Sequence, residues 1–281
     1  MANTLDEYLS QIAFLRDDHW DVDDHKELWF RAEDEAHHAT HLQPGLYRPR
    51  DGAALKPIKE LLALENDLYE EFNRCAPQLS DRPIGEDWDA YFLMQHHGVP
   101  TRLLDWTDGA LIALHFAVKN KTPPFKSGAV IHVMDPHWLV DRLNKNPERK
   151  DIEKRWAAFN KKHPFDTDEF TWENLYLPED EWDASTKKLR TPKIPLLWDS
   201  PHVSRRIAAQ RSRFMIFGSD PLWLSKLAAK KSSRIHTINI PASALGQMKS
   251  ALRDAGITES VIFPDLDGLG RELRQVWDAR H

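Results

Sequence analysis

The stretch Gln95–Ala117, QHHGVPTRLLDWTDGALIALHFA, constrains this chain more than any other. Gln95, His96, His97, Thr101, Arg102, Asp105, Trp106, Thr107 and Asp108 crowd together, and a cleanly apolar run follows. Gly98 and Pro100 suit a loop or a short strand with a tight bend. Beyond Asp108, residues Leu111, Ile112, Leu114, His115 and Phe116 recur at helical spacing, with Asp108 placed to cap the helix. Polar groups are thus gathered before a buried helix N-terminus, whose free N–H groups suit an anion. A loop of this kind either carries function or simply caps a helix.

The flanking segments supply sheet and helix. LWF at 28–30 reads as a buried strand ending on Arg31, which emerges into a cleft. HLQPGLYRPR at 41–50 is turn-rich, and Arg48 within it is placed to hold a phosphate or carboxylate. Residues 1–20 and 54–76 read as helices, the second with Leu55, Ile58, Leu62, Leu64, Leu68 and Phe72 at helical spacing. Its Glu60, Glu65, Glu70 and Glu71 are assigned to a solvated face. Another helix starts at 88–94, and Ala129–Met134 and Ile235–Ile240 alternate as strands. Arg205, Arg206 and Gln210 precede a strand at 214–217, and 242–255 is a helix ended by Gly256. ITESVIF gives a last strand, 260–263, with Glu259 at its start. Residues 141–190 are charged and loop-like, and Trp156, Phe159, Trp172 and Trp182 imply an insertion or lid folded onto the rest.

Composition removes several function classes. With 38 basic and 44 acidic residues the formal charge is -6, which gives no general attraction for nucleic acid. No apolar run reaches the length of a membrane span, the start lacks a secretory leader pattern, and Cys75 is the single cysteine. A cytoplasmic protein is expected. The 14 histidines suggest metal, with His37, His38 and His41 close together, yet no pair has the spacing of a defined zinc motif. No metal site is assigned.

Taken together, LWFRA, LQPGLYR, QHHGVPTRLLDWT with ALHFA, RIAAQ and SVIFPDLDGLG resemble, in that order, the FRG domain family of bacterial and phage proteins. The likeness runs from about Trp29 to Gly270, nearly the whole chain. Two departures stand out: Ala32 replaces the glycine of the family name, and the glycine usual after Gln210 is absent, Arg211 following instead.

The motif order is also similar to that of ADP-ribosyltransferases, which split NAD at the nicotinamide bond. That resemblance implies one α+β domain over 1–281, with twisted mixed or antiparallel sheets around a cleft and a helical insertion. It implies Glu259, Arg31 and Thr107 as catalytic residues. Arg31, Arg48, His96, Thr101, Trp106 and Gln210 would bind NAD, and the acceptor is unspecified. Glu259 would stabilise the oxocarbenium character that develops on the ribose, with Asp265 in reserve. Thr107 would bond the glutamate or the ribose, and His96 and Trp106 would shape the nicotinamide pocket. The same residues allow an NAD glycohydrolase, and a toxin or phage-defence role. Two other classes stay open: a non-catalytic sensor module, and a metal-dependent hydrolase or nuclease using His96, His97, Asp105 and Asp265. Arg102 and Asp105 are expected to pair with each other or with backbone groups.

Overall fold

A computed structural model describes residues 1–49, 53–80, 83–85, 87–162, 172–178, 182–183, 188–189, 191–198 and 205–278. Its strands are β1 (Trp29–Asp34), β2 (Leu103–Thr107), β3 (Ala129–Met134), β4 (Trp182–Asp183), β5 (Lys188–Leu189), β6 (Leu196–Trp198), β7 (Ser212–Ile216) and β8 (Ile235–Ile240). The helices are α1 (Leu5–Phe14), α2 (Ile58–Cys75), α3 (Asp87–His96), α4 (Ala110–Val118), α5 (Pro136–Asn144) and α6 (Pro147–Lys162). They continue with α7 (Arg205–Ala209), α8 (Trp223–Ala228), α9 (Leu245–Asp254), α10 (Glu259–Ile262) and α11 (Leu266–Asp278).

The fold is α+β. Six strands form one sheet in the order β6-β7-β2-β1-β3-β8, and every pairing in it is antiparallel. The expected pair of sheets is, among the described residues, one main sheet with the two-stranded antiparallel β4–β5 pair apart from it. Alternation divides the side chains between two faces. Phe30, Ile131, Val133, Ile238 and Ile240 pack with Tyr8 of α1, Leu114 of α4 and Leu245, Met248 and Leu252 of α9. Trp29, Leu104, Trp106, Met134 and Met215 belong to a second cluster with Leu61 and Leu62 of α2, Leu139 of α5 and Leu224 of α8. Both faces are covered, and β3 is buried along its whole length.

A third cluster joins α3 to the β2–β7 end through Trp88, Phe92, Leu103, Phe214 and Ile216. Helix α4 covers the β1–β3 part of the sheet and α3 the β2–β7 part. The ladder between β1 and β2 is reduced to the single pair Phe30–Thr107. An opening is left there, and the guanidinium of Arg31 spans it by donating from Nη1 to the backbone oxygen of Asp105 at 2.7 Å. Arg31 thus lies within β1, whereas the sequence suggested the strand's end.

Two elements differ more sharply from expectation. Residues 259–262, expected to begin a strand, form the short helix α10 after Thr258. Helix α11 follows at Leu266–Asp278, a segment to which the sequence reading assigned no element. The 141–190 segment supplies the end of α5, α6, a 3-10 turn at Trp172–Tyr176 and the β4–β5 pair, and no strand of the main sheet among the described residues. The side chains of Phe159, Trp172 and Trp182 lie outside the described residues.

Gly218, just after β7, is needed for close approach. A Cβ there would meet the backbone oxygen of Pro192 at 2.0 Å. The carbonyl of Gly218 also accepts from the Tyr47 hydroxyl at 2.7 Å, tying the 41–50 turn to the sheet. Gly218→Ala should cost about 1–3 kcal/mol, the usual scale for overpacking, because backbone and not a flexible side chain must yield. Thermal melts would show it as a lowered midpoint; an unchanged midpoint would mean that the 191–194 segment moves freely.

Candidate functional site

The opening in the sheet leads into a cavity of about 270 Å³. It is lined by Phe30, Arg31 and Ala32 of β1, Phe92, Gln95 and His96 of α3, and Asp105, Trp106 and Thr107 of β2. Ala113 and Phe116 of α4, Arg206 and Ile207 of α7, Gln210, and Ser212 and Phe214 of β7 complete it. Three regions distant in sequence thus meet: WFRA, QHHGVPTRLLDWT with ALHFA, and RIAAQ. Aromatic walls with a few convergent polar groups are the usual make-up of a small-molecule site.

Asp105 is the carboxylate of this cavity. Its Oδ2 accepts from Gln95 Nε2 at 2.8 Å, and Gln95 is fixed in turn by the Thr101 hydroxyl, which donates to its Oε1 at 2.7 Å. Asp105 is exposed through the cavity mouth while protein crowds it on the other sides. That loss of hydration raises its pKa, against the pull of Arg31, the Gln95 amide and Arg206. Water in the mouth limits the rise. His96 is shifted the other way: burial, then the charge of Arg206, lowers its pKa and keeps the ring neutral at neutral pH. Arg206 lies 4.5 Å from the centroid of the Phe263 ring. Perturbed groups gathered in a cleft are a physical reason to suspect function.

The other sequence candidates fall into three places. Thr101 is fully buried and acts through Gln95, also accepting from the Leu103 N–H at 3.1 Å. Trp106 is 3% exposed, with most of its ring in the core. Thr107 bonds neither a glutamate nor an open space: its hydroxyl donates to the Gln210 carbonyl at 2.8 Å and accepts from Gly109 N–H at 3.1 Å. The expected Asp108 cap is not formed: the N-cap of α4 is Gly109, without a side-chain cap bond, and Asp108 instead pairs with Arg211 and, at 2.7 Å, with Arg213. Gln210 reaches the Ile262 carbonyl at 3.4 Å. Arg48 lies outside the cavity lining, donating to Glu33 Oε1 at 2.6 Å and to the Gln43 carbonyl at 2.8 Å.

Glu259 does not line this cavity. It borders a second one of about 440 Å³ with His115, Lys119, Lys249, Arg253 and Glu272. Its Oε2 lies 3.2 Å from His115 Nε2, and Oε1 accepts from Arg271 Nε at 2.7 Å. The two cavities lie on either side of α4, with Phe116 lining the first and His115 the second. The expected convergence of Arg31, the 95–107 stretch and Glu259 on one cleft therefore holds for the first two only. The reason is local: 259–262 coils into a helix, and its carboxylate is drawn to Arg271 one turn into α11.

Sequence reasoning missed the partner of Arg102. Glu65 is fully buried, and its Oε2 accepts from Arg102 Nε at 2.5 Å. Its Oε1 accepts from the Arg102 N–H at 2.7 Å and from the Tyr91 hydroxyl at 2.5 Å. Arg102 Nη2 also donates to the Tyr176 carbonyl at 2.8 Å. Of the two expected arrangements, the Arg102–Asp105 pair is not formed, since residues three apart on extended chain point to opposite faces, while Arg102 does bond a backbone group, the Tyr176 carbonyl. The signal was present: Leu61, Glu65 and Tyr69 are spaced four apart along the apolar stripe.

Glu33, on β1, has no place in the sequence reading either. Burial alone would raise its pKa, but the Arg31 and Arg48 guanidiniums outweigh this and hold it far below the usual carboxylate range. A carboxyl with a lowered folded pKa adds stability that is fully present above its unfolded pKa, near 4.5, and is lost as pH falls through the folded one. Glu33→Gln should therefore weaken the protein most at neutral pH, and the gap to the parent should shrink on acidification. Urea midpoints at about pH 7 and about pH 3 test this, and a gap that ignores pH would contradict it.

With this geometry in view, the chain was compared with known families. Residues 26–125 match the FRG domain family. The match covers β1, α2, α3, β2 and α4, and so most of the first cavity's wall; Arg206, Gln210 and Glu259 lie beyond it. No curated protein and no solved structure matches the chain. The two departures from the FRG pattern have different backbone meanings. Ala32 sits in a regular strand, where no glycine is required. Arg211 has φ 47°, the left-handed region where a glycine would be unstrained. Its guanidinium pairs with Asp108 there, a contact that offsets part of the backbone cost. Among the described residues, no helix is long and apolar enough to cross a membrane.

Proposed function

We propose that the first cavity binds NAD and cleaves its nicotinamide–ribose bond, transferring ADP-ribose to an acceptor or to water. The observation that supports this reading is the setting of Asp105: a carboxylate near the Arg31 and Arg206 cations, between aromatic walls. As the C–N bond breaks, nicotinamide leaves with the bonding electrons and positive charge develops on the ribose. Asp105 would stabilise that charge and accept the proton released when the acceptor bonds to the ribose carbon. Arg31 and Arg206 would hold the pyrophosphate, and Phe92 and Phe116 would flank the ring. About 270 Å³ is near the lower end for ligand sites, enough for the nicotinamide riboside end while the adenosine end extends through the mouth. This reading moves the carboxylate role from Glu259 to Asp105. It gives Thr101 and Gln95 the task of aiming Asp105, and Thr107 that of joining β2 to the Gln210 loop.

Incubating the purified chain with NAD and following free nicotinamide tests the proposal. Catalysed release, insensitive to chelator, is the expected result. Because Asp105 must be ionised and its pKa is raised, the acid limb of the rate profile should lie above the ordinary aspartate value of 3.8. A second reading, a non-catalytic binding module, is favoured by Thr107, whose hydroxyl is already engaged on both sides. Saturable NAD binding with no nicotinamide release would select it.

A further inference from the structure

Beside Arg31, strands β1 and β3 gather a second set of polar side chains that the NAD reading does not use. Alternation sets Glu33 on the same side of β1 as Arg31, and the register places His132 of β3 opposite Arg31. The turn after β1 brings His41 back to them, its ring 5.3 Å from that of His132 and edge-on. One ligand atom from each of Glu33, His41 and His132 falls within a span of 4.8 Å.

His132 provides an independent observation. The residue is 4% exposed, and its Nε2 is buried without a hydrogen bond. The nearest partner, Glu33 Oε2, is 3.5 Å away, too long for a good one. A buried polar nitrogen left unsatisfied calls for an explanation. His132 Nδ1 is held by Thr237 Oγ1 at 3.0 Å, so the tautomer that donates there leaves a lone pair on Nε2. His41 is held in the same manner: Nε2 donates to the Asp34 carbonyl at 2.8 Å and Nδ1 keeps its lone pair. Each imidazole is thus anchored through one nitrogen, and in the tautomer that donates there the other is available, as in metal-ligating histidines. Glu33 divides likewise. Oε1 takes Arg31 Nε at 2.9 Å and Arg48 Nη2 at 2.6 Å, while Oε2 faces His132.

We propose that Glu33, His41 and His132 form a site for one divalent metal of the zinc class, with three protein ligands and open coordination. The 3.5 Å between Glu33 Oε2 and His132 Nε2 is close to the roughly 3.3 Å edge of a tetrahedron whose ligands lie about 2.0–2.1 Å from the metal. His41 must close by up to about 1.5 Å to reach the same edge length, and it is half-buried on the turn after β1. The guanidiniums of Arg31 and Arg48 oppose a dication, so the affinity should be micromolar and not that of a structural zinc.

The test uses the full chain without an affinity tag, stripped with chelator and titrated with Co²⁺, then Zn²⁺. One equivalent of Co²⁺ should bind with the visible absorption of a four- or five-coordinate ion, and Zn²⁺ should displace it. His41→Gln and His132→Gln should each weaken binding by about tenfold or more, with folding checked by circular dichroism. If the buried His132 variant folds poorly, His41→Gln alone decides. Absence of saturable Co²⁺ binding in the parent, or parental binding in a folded His41→Gln chain, would overturn the proposal and leave Glu33 and the histidines as a network holding the turn. The readout requires neither NAD nor turnover, so its failure leaves the NAD reading untouched.

Discussion

Glu65→Ala should lower the unfolding free energy by about 3–5 kcal/mol, the usual result of stranding one charge of a buried pair. Domains of ordinary stability have about 5–15 kcal/mol in hand, so this one change removes a large share. Three elements feel it: Arg102 at the head of β2, Tyr91 on α3, and the Tyr176 carbonyl, which holds the 172–178 segment to Arg102. The effect should reverse when both charges go. Glu65→Leu with Arg102→Met should recover most of the loss, because an apolar pair of similar volume avoids desolvation altogether. Denaturant unfolding of the single and double variants measures it. A Glu65→Ala chain with parental stability would mean that water reaches Arg102.

The strands were legible in the sequence where period decided them. β3 and β8 alternate, and β1 is marked by its aromatic pair before the charged residues. Helices α2 and α9 announced themselves by apolar spacing. Failures came where two cues competed. ESVI has strand composition, but Thr258 starts a short helix and Glu259 finds Arg271 on α11, a contact no local pattern encodes. Glu65 was read by residue type and not by position, although it stands within the apolar stripe. At the cavity, Arg31, His96, Trp106, Thr107 and Gln210 were named from sequence and all line it. Asp105 was read as a partner for Arg102 or for backbone groups, or as a metal ligand, and its bond to Gln95 depends on how α3 packs over β2. The aromatic walls come from α3, α4 and β7, whose meeting is a property of the sheet order alone.

Asp105→Asn should keep the fold, since Arg102 does not depend on it, and should still bind NAD. The change retains the shape and the bond to Gln95 while removing the charge near the ribose. Loss of an electrostatic stabiliser of this type slows turnover by about 10²–10³. Gln95→Ala should give a smaller loss, because the carboxylate stays charged but is no longer aimed. Glu259→Gln removes the ion pair with a partly exposed arginine and the contact with His115, so its cost falls on α10 and α11 and not on the chemistry.

The comparison of these two carboxylates decides between the cavities on either side of α4. The measurement is the initial rate of nicotinamide release by Asp105→Asn and Glu259→Gln, run beside the parent with matched melting curves. The cavity account predicts a folded Asp105→Asn chain slowed by about 10²–10³ and a Glu259→Gln chain near the parental rate. A folded Glu259→Gln chain that is inactive, beside an active Asp105→Asn chain, would contradict it and place the chemistry with Glu259 and His115.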